Sequence, residues 1–139
     1  MTESLLDTDI FSEILKGVDQ VVAQRATAYR ATFGHYTISV ITVMEIVKGF
    51  HKIGREERIQ QFLQHTTQAE ILLFGEQSAA LAGRIFADLE RTGQPIGRAD
   101  PMIAAIALQH GLTLITGNTT HYERIRTLGY ALNIANWRT

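Results

Sequence analysis

Short β-branched or leucine-rich runs alternate with longer stretches of helical spacing along the whole chain, and this alternation constrains the fold more than any other feature. Leu5-Leu6 and residues 36–41, 70–74, 112–116 and 130–132 read as strands, short and apolar. Residues 9–16, 19–32, 42–53, 56–65, 76–91 and 119–128 read as helices. Their stripes include Val22, Ala26 and Tyr29, then Val43, Ile46, Val47 and Phe50, then Leu81, Ile85 and Leu89. A further helix opens at Asp100-Pro101 and stops at Gly111. Strands separated by helices return parallel, and the helices then cover both faces of the sheet. The expectation is an α/β chain, a three-layer α/β/α domain with a mostly parallel sheet of about five strands. A length of 139 residues without repeat, low-complexity tract or linker reads as one domain, 1–139.

Three acids stand where a strand gives way to a helix: Asp7, Glu45 and Asp100. In an open parallel sheet the working site lies outside the C-terminal strand ends, so the fold can gather acids that the sequence keeps far apart. Each has a plainer reading. Asp7 and Asp100 can serve as helix caps, and Thr42-Val43-Met44-Glu45 fits a capping box. Together, however, they would repel one another and raise one another's pKa unless a cation neutralises them. A hard dication suits oxygen ligands, and Mg²⁺ or Mn²⁺ fits better than zinc because there is no cysteine and the 5 histidines are scattered.

The absence of cysteine also excludes disulfides, thiolate clusters and a thiol nucleophile. A net charge of −1 gives no global polyanion-binding signal, so contact with a nucleic acid must come from local basic groups or from metal. The opening Met-Thr-Glu-Ser has no signal-peptide pattern, and apolar runs such as 102–108 are too short to span a bilayer. A cytoplasmic protein without membrane contact is the default expectation.

Four blocks resemble the PIN domain, most closely the VapC-type toxins of prokaryotic toxin–antitoxin pairs. They are Leu5-Leu6-Asp7-Thr8-Asp9, Ser39-Val40-Ile41-Thr42-Val43-Met44-Glu45, Gly93-Gln94-Pro95-Ile96-Gly97-Arg98-Ala99-Asp100 and Leu114-Ile115-Thr116-Gly117-Asn118-Thr119. The resemblance runs essentially the length of the chain, to Asn136-Trp137. It implies a metal-dependent ribonuclease that cleaves RNA to 5′-phosphate and 3′-hydroxyl ends, is usually a homodimer, and is held inactive by an antitoxin protein. It implies Asp7, Glu45 and Asp100 as catalytic metal ligands. Members often carry a fourth acid at the position of 118 or 121, where this chain has Asn118 and His121.

Asp9 can partly replace that charge, although a first-turn acid also complements the helix dipole. Thr8 lies between the two acids. Lys48, one turn beyond Glu45, either meets a substrate phosphate or pairs with Glu45. Arg98 can reach the cleft or remain solvated. His121 reads first as a surface residue, and Tyr122 and Trp137 as packing residues. Two rival functions stay open. Asp7-Thr8-Asp9 also resembles the start of a haloacid-dehalogenase-type phosphatase, but the lysine that family needs is missing from 93–119. The other rival is a non-enzymatic partner-binding module of the same fold.

Overall fold

The computed structural model describes residues 1–97 and 99–139; Arg98 lies outside them. Strand β1 (Ser4–Leu6) leads to α1 (Thr8–Lys16) and α2 (Gln20–Phe33), and β2 (Thr37–Ser39) to α3 (Val40–Lys52) and α4 (Glu56–Thr66). Strand β3 (Glu70–Leu72) precedes α5 (Glu76–Arg91) and α6 (Asp100–His110), and β4 (Thr113–Ile115) precedes α7 (Thr119–Thr127) and β5 (Ile134–Ala135). Every pairing is parallel, in the order β3-β2-β1-β4-β5.

The two-residue period of a strand sorts the core. Leu5 and Leu114 face one layer, with Ile85, Leu89, Ile103, Ile106, Tyr122 and Ile125 from α5, α6 and α7. Leu6, Ile38 and Ile115 face the other, with Ile10, Phe11, Val22, Tyr29 and Phe62 from α1, α2 and α4. Three layers result, as expected. Helix α6 is apolar nearly all round, with Pro101 and the run Ile103–Ala107 buried, as befits a helix lying between the sheet and α5. At its end Gly111 takes φ +64°, a left-handed stop that a residue with a Cβ rarely adopts.

The central position of β1 leaves one backbone problem at its start. The Glu3 carbonyl and the Asp7 amide pair with Thr113 and Ile115 of the β4 side, so the Ser4 peptide faces the other way. There the buried Tyr29 hydroxyl accepts from the Ser4 amide at 3.0 Å. Trp137 packs against Tyr29 with ring centroids 5.7 Å apart, a packing role as expected.

Several boundaries differ from the sequence reading: the third strand, expected at 70–74, ends at Leu72, and two other shifts have a local cause. The second strand ends at Ser39 and its helix begins at Val40, because the Ser39 hydroxyl accepts from the Thr42 amide and caps the helix. The last strand lies at Ile134–Ala135 and not at 130–132. Leu132 is a buried core filler in the approach to it, and the Asn133 and Ala135 carbonyls are the groups that accept from Leu114 and Thr116.

Candidate active site

Strand order reverses direction between β1 and β4, so the cleft beyond their C-terminal ends is the switch point of the sheet. Asp7 follows β1 directly and is the N-cap of α1. It is 3% exposed. Its Oδ1 accepts from the Thr8 amide at 2.8 Å and its Oδ2 from the Thr116 hydroxyl, also at 2.8 Å. The capping role and a place in the cleft thus belong to the same carboxylate. Burial, then the charge of Asp9, and less strongly that of Asp100, push its carboxyl up to about 7, against the pull of both hydrogen bonds.

Asp9, one position into α1, bridges back to β4. Its Oδ2 accepts from the Gly117 amide at 2.8 Å and its Oδ1 from the Ile10 amide. Arg138 reaches the same oxygen at 3.4 Å and Glu13 at 3.6 Å. Burial still raises the Asp9 carboxyl, opposed by the Gly117 amide and by Arg138. The corner admits no side chain at Gly117, where a Cβ would fall 2.6 Å from Asp9 Oδ2 and closer still to the Arg138 guanidinium.

Asp100 and Glu45 are not caps. Ala99 is the N-cap of α6, and the Asp100 side chain makes no capping bond. Its Oδ1 accepts from the Tyr122 hydroxyl at 3.2 Å, and its Oδ2 lies 3.2 Å from His121 Nδ1. Tyr122 is fully buried. Burial and the two nearby aspartates hold its phenol well above the usual range, so it remains a donor. Glu45 lies beyond the first turn of α3, out of reach of the N-cap at Ser39. Its Oε1 instead accepts from the Thr8 hydroxyl at 2.5 Å. Thr42 stands 2.9 Å behind Thr8, and Ser39 stands behind Thr42. A chain of hydroxyls therefore runs from the end of β2 to the Glu45 carboxylate.

Asp7, Asp9 and Asp100 are close enough to act on one another's charge, and Glu45 joins them through Thr8. Among the described residues, no three acid or histidine side chains are gathered into a ready cation cage. The reason is local. Asp9 is taken up by two amides and Arg138, and Glu45 is turned to Thr8. The donor chemistry still suits a hard dication, with four carboxylates at one sheet edge, of which the buried Asp7 carries a charge that is costly without a counter-ion.

Of the supporting residues, Asn118 is the exposed N-cap of α7, and its amide donates to the Thr116 hydroxyl at 2.9 Å. Lys48 is exposed and makes no ion pair with Glu45; both line a shallow groove with Met44, Ala99 and Met102. His121 is not merely a surface residue, nor Tyr122 merely packing, since both engage Asp100. The sequence reading missed Arg138 altogether, assigned Thr116 no role, and gave Thr42 that of a cap, which belongs to Ser39. Thr116 sits inside one of the four blocks, which was the available signal; an arginine at the far end of the chain carries none.

The PIN domain profile matches residues 4–127. The tRNA(fMet)-specific endonuclease VapC of Shigella flexneri is 32% identical over 126 residues, covering 90% of this chain and 93% of its own. Ribonuclease VapC2 of Haemophilus influenzae is 33% identical over 141 residues, 99% of each chain. Among solved structures, DNA-bound VapBC from Salmonella typhimurium matches with a TM-score of 0.82 and 30% identity over 99% of both chains.

Proposed function

The chain belongs to the PIN domain family, and on that premise we propose that it is a metal-dependent endoribonuclease, the toxin of a toxin–antitoxin pair. The observation that carries the reading is the convergence of Asp7, Asp9 and Asp100 at the switch point, where a bound cation would offset the cost of a charged, buried Asp7. Asp7, Asp100 and Glu45 are its proposed ligands, and Mg²⁺ or Mn²⁺ its proposed cofactor. Such an ion, when bound, polarises a scissile phosphate and lowers the pKa of the attacking water.

The protein's own groups set the geometry. Thr116 and the Thr8 amide fix both oxygens of Asp7, Tyr122 fixes Asp100, and the Ser39–Thr42–Thr8 hydroxyls aim Glu45. Lys48, exposed beside Glu45 in the same groove, is the proposed partner of a phosphate of the RNA. A phosphatase reading, with Asp7 as nucleophile, fits poorly with a carboxylate that is 3% exposed and hydrogen-bonded through both oxygens.

A second groove supports the antitoxin as partner. Leu15, Ile46, Phe50 and Ile53 line it, Lys16 and Arg58 contribute cations, and it opens on Thr8 and Glu45. An amphipathic antitoxin segment with acidic groups would fill it and cover the site at once. No described helix is long and apolar enough to cross a membrane. We carry a single domain, a cytoplasmic location and a homodimer as parts of the same proposal, the last checked by light scattering.

The decisive experiment incubates the purified protein with an RNA panel in Mg²⁺, Mn²⁺ or chelator and maps the product ends. Initiator tRNA enters the panel because one relative is named for it. Cation-dependent cuts with 5′-phosphate ends, lost in Asp7→Asn and Asp100→Asn, are expected. Cutting that persists in chelator or in both variants would overturn the proposal.

A further inference from the structure

We propose that Arg138 binds a backbone phosphate of the RNA, on the side of the cut opposite Lys48. The inference rests on the ribonuclease reading given above and adds a substrate-holding residue to it. An edge carrying Asp7, Asp9, Asp100 and Glu45 repels a polyanion, so a strand laid across it needs cations at its flanks. The sheet order supplies both flanks. Strand β2 leads into α3 and Lys48 on one side of β1, while β4 and β5 lead to Arg138 on the other. Because every pairing is parallel, both cations come to the same edge, with Asp7 and Asp9 after β1 between them.

The Arg138 guanidinium is tethered at the cleft and left with donors to spare. Its Nη1 is 3.4 Å from Asp9 Oδ2, which already accepts from the Gly117 amide, and its Nη2 is 3.6 Å from Glu13 Oε1. A charge-assisted hydrogen bond spans about 2.7–2.9 Å, so these acids hold the group by charge without using up its five N–H donors. The side chain is 37% exposed. It lies against Gly117, where a Cβ would collide with it, so bare backbone gives it room at the turn from β4 to α7. Its base is fixed as well. Trp137 is buried against Tyr29, the Arg138 amide donates to Asn136 Oδ1 at 2.9 Å, and Arg25 donates to the Asn136 carbonyl at 2.9 Å. A planar guanidinium on a fixed base suits two parallel bonds to a phosphate.

The competing role is an ion pair that only ties the segment after β5 to α1, and the test must separate the two. Short single-stranded RNAs spanning a cut made by wild type in Mg²⁺ each carry one uncharged methylphosphonate, at successive positions. Their binding to full-length Asp7→Asn protein is read by fluorescence anisotropy in chelator over a range of salt, so that neither cutting nor a bound cation enters. Arg138→Gln, Arg138→Lys and Lys48→Gln are each added to that background and checked for fold by circular dichroism. Arg138→Gln is expected to lower the slope of log affinity against log salt by about 0.7, one phosphate's share on a single strand, and Arg138→Lys to keep it. A single methylphosphonate is expected to cancel the Arg138→Gln deficit, across the cut from the one that cancels Lys48→Gln. An unchanged slope, a lysine variant as weak as the glutamine one, or a deficit equal at every methylphosphonate position overturns the phosphate contact; wild-type cutting then leaves the ribonuclease reading standing. A wild type that cuts no RNA overturns both.

Discussion

Replacing Asp7 by asparagine should stabilise the metal-free protein while abolishing its chemistry. The native carboxyl is pushed from its ordinary 3.8 to about 7, first by burial and then by Asp9. Each unit is worth about 1.4 kcal/mol, so holding Asp7 ionised at pH 8 costs the fold on the order of 4 kcal/mol. Asparagine removes that cost and keeps the contacts. Its oxygen can accept from the Thr8 amide, its NH₂ can donate to the Thr116 hydroxyl, and it caps a helix about as well as aspartate. The sign of the pH dependence follows. Because the folded pKa lies above the unfolded one, wild-type stability from this group is fully present below 3.8 and is lost as pH rises through about 7. Chemical denaturation in chelator should therefore show Asp7→Asn about 2–4 kcal/mol more stable at pH 8, a rise in Tm on the order of 10 °C. The two proteins should converge as the pH falls toward 4. A variant no more stable than wild type at pH 8 would refute the reasoning, because Asp7 would then carry its charge without penalty.

Glu45→Gln should stop cation-dependent RNA cleavage yet change stability by less than about 0.5 kcal/mol, since Glu45 caps nothing; full cleavage would remove it from the site. Tyr29→Phe should cost about 1–2 kcal/mol in urea unfolding, because the Ser4 amide loses its buried acceptor. Arg138→Gln should tighten Mn²⁺ binding in calorimetry by removing a cation 3.4 Å from Asp9, with a stability change under about 1 kcal/mol. Asn118→Asp should also raise dication affinity, as it adds an anionic oxygen where α7 begins at the end of β4; unchanged affinity and stoichiometry would place residue 118 outside the site.

The layer order and most elements were legible because periodicity reports burial. The helix expected at 76–91 has those bounds, and Gly111 ends α6 as its backbone freedom foretells. Failures came where a side chain answered to a distant partner. Thr42 and Glu45 have capping-box spacing, yet Ser39 is the cap, and Glu45 is claimed by Thr8 from another helix. Asp100 looks like an N-cap by composition, but Tyr122 and His121 give its oxygens other partners. Position 130–132 is apolar enough for a strand, and only the exposed carbonyls further on determine which residues pair with β4. Of the three acids expected where a strand gives way to a helix, only Asp7 stands there; Glu45 lies inside α3, and Asp100 opens α6 after α5, so the fold and not a strand end brings those two to the cleft. The arginine that faces Asp9 was not legible, because nothing local to Arg138 records what it meets.

The joining of β1 to β4 also sets when the site can exist. Asp7 meets Thr116, and Asp9 meets Gly117 and Arg138, across most of the chain's length. During synthesis the N-terminal half emerges first and its helices can begin to pack, but the cleft has only one wall until the last third has left the ribosome. A partly made chain holds Asp7 and Glu45 without Asp100, Thr116 or Gly117. A ribonuclease built this way has no complete site until its chain is nearly finished.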